Sequence, residues 1–141
     1  MLRDVLLPAL EQNFPHRGLR GGKSPDPVAV FPAAHQDVGD VIIYDDGDEA
    51  TVQIGDISHG HFGWDDPDRT GGAAAYAVTE QIVRFLNDLF ADRMLLWKQA
   101  GNGAGGWYLL GYNNAPSFMG ADDLTYVWSG PVTNPLRENA G

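Results

Sequence analysis

The chain has 141 residues, 43% hydrophobic and 20% charged, and its 19 acidic against 9 basic side chains give a formal net charge of −10. This size and composition predict a single domain, 1–141, with a hydrophobic core, and they exclude a disordered chain. The negative field repels phosphate backbones and anionic lipids, so we expect no nucleic acid and no membrane partner.

Cysteine is absent, which excludes disulfides, thiol nucleophiles, iron–sulfur clusters and cysteine zinc sites. Imidazole and oxygen ligands remain, and no pattern in the sequence indicates a cofactor. The N-terminal stretch lacks a long uncharged apolar segment because Arg3, Asp4 and Glu11 interrupt it. No run approaches the roughly 18 apolar residues of a membrane-spanning helix. We therefore expect a cytoplasmic protein.

The first half of the chain predicts a short helix followed by strands. Apolar residues recur at three- and four-residue spacing from Leu2 to Leu10, which predicts an amphipathic N-terminal helix. Glycine and proline are dense at about 15–27, which predicts a flexible loop. Apolar, β-branched runs predict strands at 28–31 and 40–44, and the strict alternation of "ATVQI" at 50–54 predicts a strand with one buried face.

The second half predicts one long helix and further strands. The helix at 73–91 carries an apolar stripe made of Val78, Ile82, Phe85, Leu86 and Leu89. "RMLLW", "WYLLG" and "LTYVW" predict strands, and the polar tail from about 133 is expected to fray. Hairpin strands on both sides of the helix favour an α+β two-layer sandwich: a mostly antiparallel sheet with the main helix on one face and a short N-terminal helix.

Three enzyme motifs fail on inspection. "GGKS" at 21–24 lacks the first glycine of a phosphate-binding loop, because Arg17 stands there. The glycines at 101–106 precede a strand-like segment, whereas a dinucleotide fingerprint precedes a helix. Ser58 would suit a nucleophile elbow only with glycine at position 56, where the chain has Asp56.

The acidic segment at 45–49 predicts a hairpin turn. Aspartate followed by glycine between two strand patterns is a hairpin signal, and the spacing of the carboxylates does not match an EF-hand. We expect this turn to add to a negative surface that binds a basic protein partner. Exposed tryptophans beside the glycine loop would extend that surface, although most tryptophans are core residues. The candidate binding residues are Asp45, Asp46, Asp48, Glu49, Trp64 and Trp107.

Two histidines form the candidate metal site. If strand geometry continues through "DISHGHF", His59 and His61 point to one face and could share a metal ion. A third ligand would come from His35, Asp56, Asp65 or Asp66. The alternative is a pair of strand-end histidines bonded to backbone or aromatic neighbours, with Gly60 marking a bulge or a close approach.

The segments "YDDGDEATVQIGDISHGHF", "FLNDLFADRMLLW" and "GGWY" resemble a group of short acidic bacterial proteins with no assigned activity, over about residues 38–108. The resemblance implies an immunity-like or accessory protein that binds another protein, and it assigns no functional residue. We therefore expect a small acidic protein-binding module. Two alternatives stay open: a metal-dependent or acid–base enzyme that uses His59 and His61, and a structural subunit of a homo-oligomer.

Overall fold

The chain adopts an α+β fold in the computed structural model, which describes residues 2–63, 72–101, 103–111 and 119–138. The predicted fold class is confirmed, and the helix predicted at 73–91 is the second helix below. In chain order the elements are α1 (Leu2–Asn13), β1 (Arg20–Gly21), β2 (Ala29–Phe31), β3 (Val41–Asp45), β4 (Glu49–Ile54), β5 (Ser58–Gly63), α2 (Gly72–Phe90), β6 (Met94–Lys98), β7 (Gly105–Leu109), β8 (Leu124–Val127), β9 (Gly130–Pro131) and α3 (Pro135–Glu138).

The strands form two sheets, and each strand pairing in the described ranges is antiparallel. The first sheet has the order β1-β2-β3-β4-β5, and the second has the order β7-β6-β8-β9. The chain passes from one sheet to the other through α2. The expected antiparallel pairing is therefore present, and the structure divides it between two sheets that come together where Gly60 of β5 lies against the indole of Trp107 in β7.

The core lies between the first sheet and the helices. Ala50, Val52 and Ile54 alternate along β4 and are fully buried, as the period of two predicts. All five residues of the predicted stripe on α2 are also buried, and α1 packs against α2. The rings of Phe14, Phe31 and Phe90 meet edge to face at centroid distances of 5.2–5.8 Å and join the residue that follows α1 to β2 and α2.

The end of α2 is fixed by Asp92, which adopts a left-handed backbone conformation with φ 60°. Its carboxylate accepts a hydrogen bond of 3.0 Å from the backbone N–H of Ser129 and another from the Ser129 hydroxyl. Trp128 is buried beside Phe90, with ring centroids 5.2 Å apart. This corner therefore connects the end of α2 to the second sheet.

The loop predicted at 15–27 contains β1 and is bonded to α1. The Arg3 guanidinium donates to the carbonyl oxygens of Gly22 and Asp26 at 2.6 Å each, and to that of Pro27 at 3.3 Å. Its predicted flexibility, like the predicted fraying from about 133, stays a prediction. No helix in the described part of the chain is both long and apolar enough to span a membrane.

Candidate functional site

The solvent-facing side of β4 and β5 gathers the polar side chains of interest. Burial of the alternate residues of β4 turns Glu49, Thr51 and Gln53 towards solvent. The register places Thr51 opposite His61 and Gln53 opposite His59. We call these five residues the polar face.

His59 and His61 lie on the same face of β5, as two-residue spacing in a strand requires, and both are exposed. Their ring centroids are 5.3 Å apart, and the ring planes are inclined by 82°. The two imidazoles therefore contact each other edge to face. Binding of one metal ion by both His59 and His61 stays a prediction.

The acidic segment is a hairpin turn between β3 and β4, as predicted. The backbone N–H of Asp46 donates to the carbonyl of Glu49 at 2.9 Å. The Asp45 carboxylate accepts a 2.9 Å hydrogen bond from the N–H of Gly47, whose φ of 95° suits a glycine. Asp46, Asp48 and Glu49 are exposed around this turn. We call Asp45, Asp46, Asp48 and Glu49 the hairpin tip.

The hairpin tip and the histidine pair, which the sequence presents separately, meet in space. One ligand atom from each of Asp46, Glu49 and His61 lies within 4.8 Å of the others. His61 Nδ1 is 3.5 Å from Glu49 Oε1 and 3.0 Å from Thr51 Oγ1. The Thr51 hydroxyl donates in turn to Asp46 Oδ2. An imidazole and two carboxylates therefore converge at the outer edge of the first sheet.

The other residues considered as a third ligand have different surroundings. His35 Nδ1 accepts a 3.0 Å hydrogen bond from the N–H of Asp37, and its ring lies against Gly130. Asp56 bonds Lys98 Nζ at 3.0 Å, and this hydrogen bond and the lysine charge lower the pKa of the Asp56 carboxyl. Asp65 and Asp66 lie outside the described residues, as does Trp64.

The sequence did not identify Asp46 and Glu49 as neighbours of His61. The turn between β4 and β5 contained the information needed to predict this contact. Because the turn has three residues, 55–57, it places Ile54 opposite Ser58. Counting outward from this pair brings Thr51 opposite His61. Turn length determines hairpin register, so this contact was within reach of a sequence argument.

Trp107 contacts the core more than solvent. Its indole packs on Phe85, with ring centroids 4.8 Å apart, and a Cβ atom added to Gly60 would lie 2.6 Å from Trp107 Cζ2. The indole therefore fills the space beside β5. Its predicted part in recognition stays a prediction.

A shallow cleft of about 460 Å³ adjoins the polar face. It is lined by Gln53, Asp56, Ser58, His59 and the glycine-rich segment 103–105. Chemically, the region offers imidazole nitrogen and carboxylate oxygen as cation ligands, and a dense negative charge at the hairpin tip.

No protein-family model, curated protein or solved structure matches this chain. The alternative function, a metal-dependent or acid–base enzyme that uses His59 and His61, stays a prediction.

Proposed function

We propose that the protein is a noncatalytic binding module that holds a basic protein partner at the hairpin tip. The observation that carries the proposal is the distribution of ion pairs. Within the described residues, no lysine or arginine pairs with any of the four carboxylates of the tip. The lysine and arginine ion pairs of the described ranges lie elsewhere: Glu80–Arg84, Asp88–Arg93, Asp56–Lys98 and Asp122–Arg137.

A carboxylate cluster with no lysine or arginine partner among the described residues suits a binding partner with lysine and arginine on its surface. Complementary charge raises the association rate and discriminates against wrong partners more than it adds affinity. The hydrogen bonds within the turn hold Asp45 and Asp46 in place before binding. A partner therefore loses less free energy in ordering the hairpin tip than it would with an unstructured acidic loop.

Affinity capture from the native host tests the proposal. The bait is the full chain, compared with a hairpin variant that combines Asp46→Asn, Asp48→Asn and Glu49→Gln. We expect the wild type to retain a basic protein that elutes as the salt concentration rises, because salt screens exposed charges. We expect the hairpin variant to lose that protein.

A control variant removes the same charge elsewhere on the surface. Glu11→Gln, Glu80→Gln and Asp122→Asn also remove three negative charges, at exposed positions away from the hairpin tip. This control variant should keep the partner. Equal capture by the hairpin variant and the wild type would contradict docking at the tip, and so would a partner whose retention does not respond to salt.

A further inference from the structure

We infer that Asp46, Glu49 and His61 form a binding site for a divalent transition cation of the zinc type. The observation is a mixed ligand set, one imidazole and two carboxylates, whose ligand atoms lie within 4.8 Å of one another. This inference concerns the protein alone and does not rest on a protein partner.

The distances suit a small cation. With zinc-to-ligand bonds of about 2.0–2.2 Å, neighbouring ligand atoms in a tetrahedral site lie roughly 3.3 Å apart. His61 Nδ1 and Glu49 Oε1 are already 3.5 Å apart. The side chains of His61 and Glu49 are 53% and 48% exposed, so small rotations that bring all three ligands to the cation meet little packing resistance. Water can complete the coordination, as it does in open zinc sites.

The backbone brings the ligands together from three positions. Asp46 lies in the turn after β3, Glu49 begins β4, and His61 lies on β5. The pairings of β4 with β3 and of β4 with β5 hold these positions in register. The cation therefore does not have to organise a disordered segment, which lowers the entropic cost of binding.

Thr51 orients Asp46 and contacts His61 in the cation-free protein. Its hydroxyl has one hydrogen, which it donates to Asp46 Oδ2, so His61 Nδ1 is the donor in the 3.0 Å contact with Thr51 Oγ1. Nδ1 thus directs its hydrogen towards Thr51, with the Glu49 carboxylate also nearby. A cation bound through Nδ1 requires the imidazole tautomer with its hydrogen on Nε2, so the Nδ1 hydrogen and its bond to Thr51 are lost on binding. The Thr51 hydroxyl keeps its hydrogen bond to Asp46, and hydrogen bonds of this kind to metal ligands commonly stabilise their orientation.

The donor set selects against calcium and magnesium. These cations take oxygen ligands almost exclusively, and calcium requires six to eight of them. An imidazole nitrogen beside two carboxylates instead suits zinc and its first-row neighbours. His59 is adjacent to His61, with ring centroids 5.3 Å apart, but it does not belong to the convergent group.

Isothermal titration calorimetry of the untagged full chain tests the site. With zinc chloride we expect one binding event per chain, and with calcium chloride we expect no measurable heat. His61→Gln and Glu49→Gln should each weaken zinc binding at least about tenfold. Loss of a hydrogen bond that orients a metal ligand typically lowers metal affinity about 10–100-fold, and loss of the ligand itself should lower it at least as much.

The matched control is His59→Gln, on the same face of the same strand. It should weaken zinc binding far less than His61→Gln does, because His59 supplies no ligand atom to the convergent group. If His59→Gln and His61→Gln weakened zinc binding equally, the histidine pair would hold the cation and the proposed ligand set would be wrong. Absence of zinc binding, or binding that none of the variants weakens, would overturn the site. Circular dichroism checks that each variant is folded. The calorimetry needs no protein partner, so its outcome is independent of whether a basic protein docks at the hairpin tip.

Discussion

At the scale of the residue, Gly60 controls how closely the two sheets approach. It lies between His59 and His61, and its Cα faces the indole of Trp107. A Cβ atom at this position would meet aromatic carbon of Trp107, whose ring packs on Phe85. The absence of a side chain at position 60 therefore lets β5 lie against the Trp107 indole.

Gly60→Ala should destabilise the protein. The added Cβ would lie 2.6 Å from Trp107 Cζ2, and overpacking of this kind costs about 1–3 kcal/mol. Gly63→Ala is the matched control on the same strand, because its Cβ would make an ordinary contact of 3.4 Å with Glu49 Cβ. Urea unfolding gives both free energies of unfolding. Equal stability of the two variants would show that the indole moves aside without cost.

The candidate site could be predicted from the sequence in part. The common face of His59 and His61 follows from the two-residue period of a strand. Their proximity to Asp46 and Glu49 follows from register across three strands, and the length of the turn at 55–57 indicates that register only once β4 and β5 are known to pair. The sequence therefore indicated the histidines and the acidic turn but did not show that they meet.

At the scale of the element, the longer helices and strands could be predicted and their partners could not. α2 and β4 were evident because their apolar residues repeat with the helix or strand period over many positions. The two-residue strands β1 and β9 have no such signal, since they exist only through pairing with β2 and β8. The division into two sheets could not be predicted for the same reason, because the residue pattern of a strand does not show which other strand it pairs with.

The contact between α1 and the loop at 15–27 is an element-scale feature with a testable consequence. Arg3→Ala removes three hydrogen bonds to carbonyl oxygens of that loop. Hydrogen bonds from a charged donor contribute about 1.5–3 kcal/mol each where they are buried, and less where they are exposed. The loop contains Arg17, Arg20 and Lys23, so limited trypsin digestion reports its opening.

We expect trypsin to cleave the loop in Arg3→Ala roughly tenfold faster or more than in the wild type, because local opening controls cleavage. Arg84→Ala serves as control. It also removes an arginine from a helix, but its exposed bond to Glu80 lies within α2. An unchanged cleavage rate in Arg3→Ala would mean that the loop is held by other contacts.

At the scale of the whole molecule, the charge of −10 acts on stability as well as on binding. A chain far from neutrality repels itself in the compact state. Among the residues that the structure describes, four acidic side chains reduce that repulsion locally through arginine or lysine partners. Those of the hairpin tip have no such partner in the same ranges, so we expect the repulsion to be strongest at that edge of the first sheet.

This distribution predicts how salt affects thermal stability. Raising sodium chloride from about 10 mM to about 0.1 M shortens the screening length from roughly 30 Å to roughly 10 Å. We expect the wild-type melting temperature to rise by a few degrees, which corresponds to about 1 kcal/mol. The hairpin variant, whose net charge is −7 after removal of three charges from −10, should melt higher at low salt and respond less to added salt.

The control variant separates local from overall repulsion, because it also has a net charge of −7 but gives up the Glu80–Arg84 and Asp122–Arg137 pairs. If repulsion is concentrated at the hairpin tip, the control variant should gain less low-salt stability than the hairpin variant. Differential scanning calorimetry at both salt concentrations measures the difference. Equal gains in the two variants would assign the effect to net charge alone, and a wild-type melting temperature that falls with salt would show that surface ion pairs outweigh the repulsion.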